Sequence, residues 1–257
     1  MVRGLTIEQK RALRISGRSL SRYVVPNSGG THQWNHDEGS GTALTDEFGS
    51  LDGTINGATW ESGVGTNDVY LRYDGSNDWT DLGSDSRSEF RHFVEDGEGT
   101  IFFWTKPDQI STRVSAISSS LSTSDVGVSI EYNWNSDGEI RWMSVNGSKE
   151  IWDTQGTNSA LIADVWQPIA VTVGKSTAHV YQGDPSDKYS ISEVASDTFS
   201  TDELISSDLD YNMAFGRHQQ GTNFYFDGGV DLVFADSVAW SQSEIQSFVD
   251  DSASFFM

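Results

Sequence analysis

The chain has 257 residues, no cysteine, and 38 acidic against 16 basic residues, a formal charge of −22. This excludes disulfides and thiolate chemistry and sets the long-range field against phosphate backbones and anionic lipid, so no nucleic-acid partner and no membrane insertion are expected. Only five of the cations are lysines; acid enrichment with lysine scarcity reads as adaptation to concentrated salt, where screening falls to about 3 Å at 1 M.

Residues 1–22 carry six cations, Arg3, Lys10, Arg11, Arg14, Arg18 and Arg22, against one acid, Glu8. Thr6 with Gln9 makes a capping box, and Ile7, Ala12 and Leu13 continue a short amphipathic helix that Gly17 ends. Pro26-Asn27-Ser28-Gly29-Gly30 reads as a hinge. Residues 1–30 are therefore expected to form a basic helical arm whose Arg11, Leu13, Arg14 and Arg18 dock on an acidic protein neighbour, within a homo-oligomer or other symmetric assembly. No apolar run of signal-peptide type opens the chain, and no later run is long enough to span a membrane.

From Trp34 onward the pattern is short strands and turns. Residues 69–73, 100–106, 126–134, 140–145, 167–173, 178–181 and 225–234 are rich in aromatic and β-branched residues and bounded by Gly, Asp, Asn or Ser. Asn146-Gly147 predicts a type I′ hairpin turn, and Asn135-Ser136-Asp137-Gly138 a second turn, so residues 126–153 form a meander. Ile140 and Trp142 share one strand face, which places Trp142 inside. Near the end, Ser241 with Glu244 caps a helix carrying Ile245, Phe248 and Val249 at helical spacing, expected to pack over one rim of the sandwich.

These residues carry a family resemblance. Residues 34–41 (WNHDEGSG), 53–60 (GTINGATW) and 71–79 (LRYDGSNDW) resemble the opening of a laminin-G-like, concanavalin A-like jelly roll. Residues 101–107 (IFFWTKP), 166–173 (WQPIAVTV) and 178–181 (AHVY) resemble its long strands, and 215–217, 226–231 and 239–245 its closing strands and terminal helix. The resemblance implies an all-β, two-sheet jelly-roll sandwich over residues 31–257, with the helical arm before it and a short C-terminal helix within it. It also implies glycan or protein binding and one structural Ca2+, with Asp37 and Asp231 as carried-over ligands; Leu232 stands where the family has a second acid. Asp74 and Asp78 are separate calcium candidates from their own loop, which offers closely spaced hard oxygens at a tight turn.

Trp79, Phe224 and Tyr225 are the expected ligand-binding rings, flat surfaces with Asn and Asp nearby for a sugar's face and hydroxyls. Other chemistry finds little footing. His32 and His36 stand at a strand entry rather than on a zinc-binding helix; His92, His179 and His218 are isolated; no nucleophile elbow is present. The expectation is a non-enzymatic protein of a virion surface in a haloarchaeal setting, a capsid turret, spike or tail-fibre component that attaches to a host surface or glycan. The alternatives are a cell-associated or secreted lectin-like module and a glycan-active hydrolase with carboxylates on facing strands.

Overall fold

The structure, a computed structural model, describes residues 14–15, 18–19, 32–119, 124–132, 139–147, 150–155, 161–218 and 224–256. Its strands are β1 (Arg14–Ile15), β2 (Arg18–Ser19), β3 (His32–Trp34), β4 (Ala43–Leu44), β5 (Gly53–Asn56), β6 (Thr59–Ser62), β7 (Val69–Asp74), β8 (Trp79–Asp81), β9 (Glu98–Pro107), β10 (Val114–Ser118), β11 (Val126–Tyr132), β12 (Ile140–Asn146), β13 (Glu150–Gln155), β14 (Gln167–Gly174), β15 (Thr177–Asp184), β16 (Ser190–Thr198), β17 (Ala214–Phe215) and β18 (Asp227–Asp236). Two short helices, α1 (Ser86–Glu89) and α2 (His92–Glu95), follow β8, and α3 (Gln242–Ser252) comes near the end. Sheet I runs β13-β12-β11-β10-β17-β8-β5-β4 and sheet II runs β16-β15-β14-β9-β18-β7-β6, with β3 beside β18. The fold is the two-sheet, all-β sandwich expected. Among the described residues no helix is long and apolar enough to cross a membrane.

The helix expected in the arm is not what its described part forms. Arg14–Ile15 and Arg18–Ser19 pair antiparallel, Arg14 opposite Ser19 and Ile15 opposite Arg18; Gly17, the expected helix end, lies outside the described residues. Arg11 and Leu13 lie outside the described residues.

Strand alternation builds two apolar layers, not one. Ile101 and Phe103 of β9, Ile130 of β11, Trp142 of β12, Val171 of β14 and Phe215 of β17 belong to the core between the sheets, where Trp142 is fully buried as its alternation requires. The intervening residues of β9, Phe102 and Trp104, point to the opposite face of sheet II and join Leu232, Phe234, Trp240, Phe248 and Phe256. There the Trp104 ring stacks on Phe256 at 4.1 Å between centroids and its Nε1–H donates to Ser252 Oγ at 3.0 Å. The C-terminal helix packs on the outer face of sheet II, its Phe248 against Phe102 of β9 and Phe234 of β18 and its Gln242 and Gln246 bonded to Ile191 of the edge strand β16, where β9 and β18 offer large apolar side chains on both sides.

That helix begins as its sequence demands. Ser241 accepts from the Glu244 N–H and the Glu244 carboxylate accepts from the Ser241 N–H at 2.7 Å, a complete capping box, and Ile245, Phe248 and Val249 are buried. Ser241→Ala is expected to lower stability by about 0.5–2 kcal/mol; chemical denaturation in molar salt reads this, and an unchanged midpoint would show that packing alone holds the first turn.

The hairpin between β12 and β13 departs from the type I′ turn. Val145 pairs with Glu150, leaving a four-residue connection in which Asn146 still belongs to β12 opposite Val126. Of the described residues in it, Asn146 and Gly147, Gly147 alone takes a positive φ, 81°, and its N–H donates to Asp125 O at 2.7 Å. Pairing to β11 holds Asn146 extended, whereas a type I′ turn needs positive φ at both central residues. Likewise β18 starts at Asp227, two residues after the expected start, because Tyr225 and Phe226 belong to the preceding hairpin.

Candidate functional site

The aromatic run 224–226 lies on the returning arm of a hairpin that leaves β17. Phe226 N–H donates to Gly216 O at 2.8 Å, His218 N–H to Phe224 O at 3.3 Å, and Ser115 N–H of β10 to Phe224 O at 3.2 Å. Gly216 has φ 83°, and a side chain there would run into the Tyr73 ring. Residues 219–223 lie outside the described set. The three rings separate by environment. Phe226 is core, edge-on to Tyr132 at 5.8 Å, whereas Phe224 and Tyr225 are half-buried, as is Trp79 on β8 next to β17.

Two of these rings carry a guanidinium. Arg217 Cζ sits 4.2 Å from the centroid of Trp79, and Arg113 Cζ 4.4 Å from that of Phe224, both within cation–π range. Arg113 is fixed further by Glu131, with Nε donating to Oε2 at 3.1 Å and Nη2 to Oε1 at 2.9 Å. Arg141 Nη1 approaches the same carboxylate at 3.6 Å and His218 Nε2 at 3.4 Å. Glu131 and Arg141 are about as buried as the core, each 1% exposed. Burial is the main cause holding the His218 imidazole below its usual pKa, opposed by the charge of Glu131. Sequence reading treated His218 as isolated and missed Arg113, Glu131, Arg141 and Arg217. The available signal was alternation: Glu131 in VGVSIEY and Arg141 in IRWMSV occupy the positions opposite the core residues Ile130 and Trp142.

The acidic candidates fall into two places. Asp74 Oδ1 accepts from the Ser76 and Asn77 N–H groups at 2.8 and 3.3 Å, and Asp78 Oδ2 accepts from the Asp74 N–H at 3.0 Å, so this loop is closed by its own backbone. Asp231 is elsewhere, fully buried, accepting from Thr66 N–H at 2.5 Å and Leu232 N–H at 2.6 Å. It sits where the neighbour of β18 changes from β7, paired to residues 227–230, to β3, paired to 233–235. The ladder to β9 is shifted there and Leu232 has φ 46°. Burial pushes the Asp231 carboxyl well above the usual range, and the nearby Asp37 charge adds to this; Asp37 itself is raised by burial and by Glu38. Asp37 is thus within electrostatic reach of Asp231, whereas Asp74 and Asp78 bond within their own loop. Two carboxylates fit the charge of a Ca2+ site but are a small part of the six to eight oxygens such an ion takes, and no group of three or more His, Cys, Asp or Glu suited to a metal occurs among the described residues.

The same region holds Glu47, pushed up to about 7 by burial and by the charges of Asp37, Glu38, Asp46 and Asp52. A carboxyl raised in the folded state adds stability below its unfolded pKa, and that contribution is lost as pH climbs through the folded value. His36, lowered to about 4 by burial, acts in the opposite sense below its ordinary 6.5, so a comparison of variants isolates the Glu47 effect. Glu47→Gln is expected to melt higher than the parent at pH 8, with the advantage shrinking through pH 7 and gone near the ordinary Glu value of 4.5. Parallel melting curves at constant ionic strength check this; a pH-independent gap would remove the titration from the account.

Comparison with known proteins agrees with this architecture. Comparison with curated proteins gives no match. Among solved structures, domain 4 of AbnA, a GH43 extracellular arabinanase from Geobacillus stearothermophilus in complex with arabinotriose, is similar with TM-score 0.61 and 16% identity, covering 88% of this chain and 100% of that one. Trypanosoma rangeli sialidase in complex with sialic acid is similar with TM-score 0.62 and 13% identity, over 93% of this chain and 36% of the sialidase. The binding domain of Paraclostridial Mosquitocidal Protein 1 is similar with TM-score 0.60 and 13% identity, over 85% of this chain and 51% of that one. A family-level comparison matches residues 74–246, more than half of the sequence, and on that basis the chain belongs to the Concanavalin A-like lectin/glucanases superfamily.

Proposed function

We propose that the protein is a non-enzymatic glycan-binding domain whose ligand surface is the end of sheet I around Trp79, Phe224 and Tyr225. The observation that carries this is the placement of three half-buried rings about one hairpin: Phe224 and Tyr225 on its returning arm, and Trp79 of β8 beneath Arg217, the bridge partner of Tyr225. An aromatic face with polar groups beside it suits an amphipathic ligand such as a sugar. The arabinotriose held by the arabinanase domain of the same fold supports the ligand class. A glycan array followed by calorimetry, in molar salt, tests the reading. Binding is expected and Trp79→Ala should abolish it while leaving the circular dichroism spectrum intact; binding indifferent to Trp79, or no binding to any glycan, rejects it. A structural Ca2+ at Asp37 and Asp231 belongs to the same proposal, because a cation relieves the repulsion between two desolvated carboxylates. Added CaCl2 should raise the melting temperature of the parent and leave Asp231→Asn unmoved; an equal rise in both would take Asp231 out of the site.

The charge contrast favours a finer reading. Six cations in residues 1–22 precede a body far more acidic than they are basic, which suits display on the surface of a virion in a saline host, with residues 1–30 anchored to an acidic protein neighbour. Deletion of residues 1–28 should abolish incorporation into particles while Asp187→Asn is retained. Normal incorporation of the deleted form would favour a free, extracellular lectin instead.

A further inference from the structure

We infer that the polar half of this site lies on β5 and β8, where Asn56 and Asp81 flank Trp79, and that it accepts the hydroxyls of uncharged sugars and excludes acidic ones, an inference that rests on the glycan-binding reading above. The strand register carries it. Asn56 pairs with Trp79, Ile55 with Thr80 and Thr54 with Asp81. Ile55 and Thr80 are buried, Ile55 in the core between the sheets, so alternation turns Thr54, Asn56, Trp79 and Asp81 to the outer face of sheet I. There Thr54 is exposed and the other three are half-buried. Opposed side chains stand about 5 Å apart and same-face neighbours along a strand about 7 Å, so the four residues make a patch the size of one sugar ring. The hairpin bearing Arg217 leaves β17 on one flank of β8, whereas β5 runs along the other, so the guanidinium and the patch reach Trp79 from different flanks.

The patch offers chiefly acceptors. Asn56 Nδ2 donates to Thr54 O at 3.0 Å, which fixes the amide and leaves Oδ1 and one N–H. Asp81 Oδ1 accepts from the Gly83 N–H at 2.8 Å and from Asn212 Nδ2 at 2.9 Å. Those two bonds hold the carboxylate in place. Asp81 Oδ2 and Asn56 Oδ1 have no hydrogen-bond donor among the described residues, and neither is a buried atom, so solvent reaches both. A carboxylate oxygen and an amide oxygen beside a ring suit a sugar's hydroxyl donors, and the bond to the carboxylate is the stronger. The same carboxylate would meet a uronate or a sulfate at contact distance. Molar salt screens charge only beyond about 3 Å, so this repulsion persists where the rest of the −22 charge is silenced.

The test uses the full chain in molar salt. An array of uncharged arabino-, xylo-, gluco- and galacto-oligosaccharides, beside oligogalacturonate, sialylated and sulfated members, is read first. The strongest uncharged oligosaccharide is then titrated beside its O-methyl ether. Uncharged members should bind at least about tenfold tighter than acidic ones, the worth of one charge-assisted contact, and the ether, stripped of hydroxyl donors, should not bind. Asn56→Ala should weaken the uncharged sugar by up to about tenfold, and Asp81→Asn should erase the discrimination against acidic members, both at the parent's melting temperature. Should either variant melt lower, the ether comparison on the parent protein decides without any substitution. Acidic members bound as tightly as uncharged ones overturn the exclusion. An ether that binds like the free sugar, or variants that bind like the parent, overturn the assignment to Asn56 and Asp81 and leave glycan binding at Trp79 standing. Silence across the whole array overturns both readings.

Discussion

Removal of residues 242–257 is expected to abolish cooperative unfolding, because it strips the second apolar layer from sheet II. The deletion takes away Ile245, Phe248, Val249, Phe255 and Phe256 and uncovers Phe102, Trp104, Leu232 and Phe234. Each large side chain moved into water costs about 1.5–3 kcal/mol, and the sum for the uncovered residues alone reaches the whole ~5–15 kcal/mol that holds a typical domain together. Trp104 Nε1 also loses its acceptor, Ser252 Oγ. Near-UV circular dichroism and denaturant titration in molar salt measure the effect. The single substitution Trp104→Ala provides a graded version, expected to cost about 3–5 kcal/mol. A sharp transition in the shortened chain, within a few degrees of the parent, would show that the layer is an accessory and not a part of the core.

The second large effect is expected at Glu131. One carboxylate, 1% exposed, receives a bidentate pair from Arg113 and stands 3.6 Å from Arg141 and 3.4 Å from His218. Glu131→Gln keeps the shape and removes the charge, leaving two guanidinium groups without their shared counter-ion, a loss of about 3–5 kcal/mol for a buried pair broken on one side. Replacing both partners is milder than replacing one, since the cost lies chiefly in stranding the remaining charge. Glu131→Gln with Arg113→Met should therefore recover part of the loss, and the double-mutant cycle gives the coupling directly. Strict additivity of the two substitutions would mean that the carboxylate and the guanidinium do not depend on one another.

The parts of this molecule written in adjacent residues were legible in its sequence. Alternation in IRWMSV placed Trp142 in the core, the Ser241–Glu244 spacing marked the start of the last helix, and the β-branched runs located the long strands of both sheets. What escaped depends on residues that meet only after folding. Glu131 gathers Arg113, Arg141 and His218 from three separate segments, and no local period announces a partner so far away. The second apolar layer was hidden for a related reason. IFFWT on β9 is apolar on both sides, and a strand buried on both faces loses the alternation that would say which side the helix covers. The candidate rings were chosen by residue type and neighbourhood in the chain; that Arg217 lies over Trp79 and Arg113 over Phe224 depends on segments that meet only in the folded hairpin.

The placement of β18 governs the order in which this chain can be completed during synthesis. It is the last of the described strands in chain order, yet it lies inside sheet II between β9 and β7, with β3 along the rest of one edge. Until the ribosome has released residues 227–236, β9 and β7 each present an open row of backbone donors and acceptors, and β3 waits for a partner some two hundred residues downstream. Open edges of that kind recruit other strands, and pairings so distant form slowly. A nascent or prematurely ended chain is therefore the vulnerable species, and the sandwich closes only once its penultimate element slots into the middle.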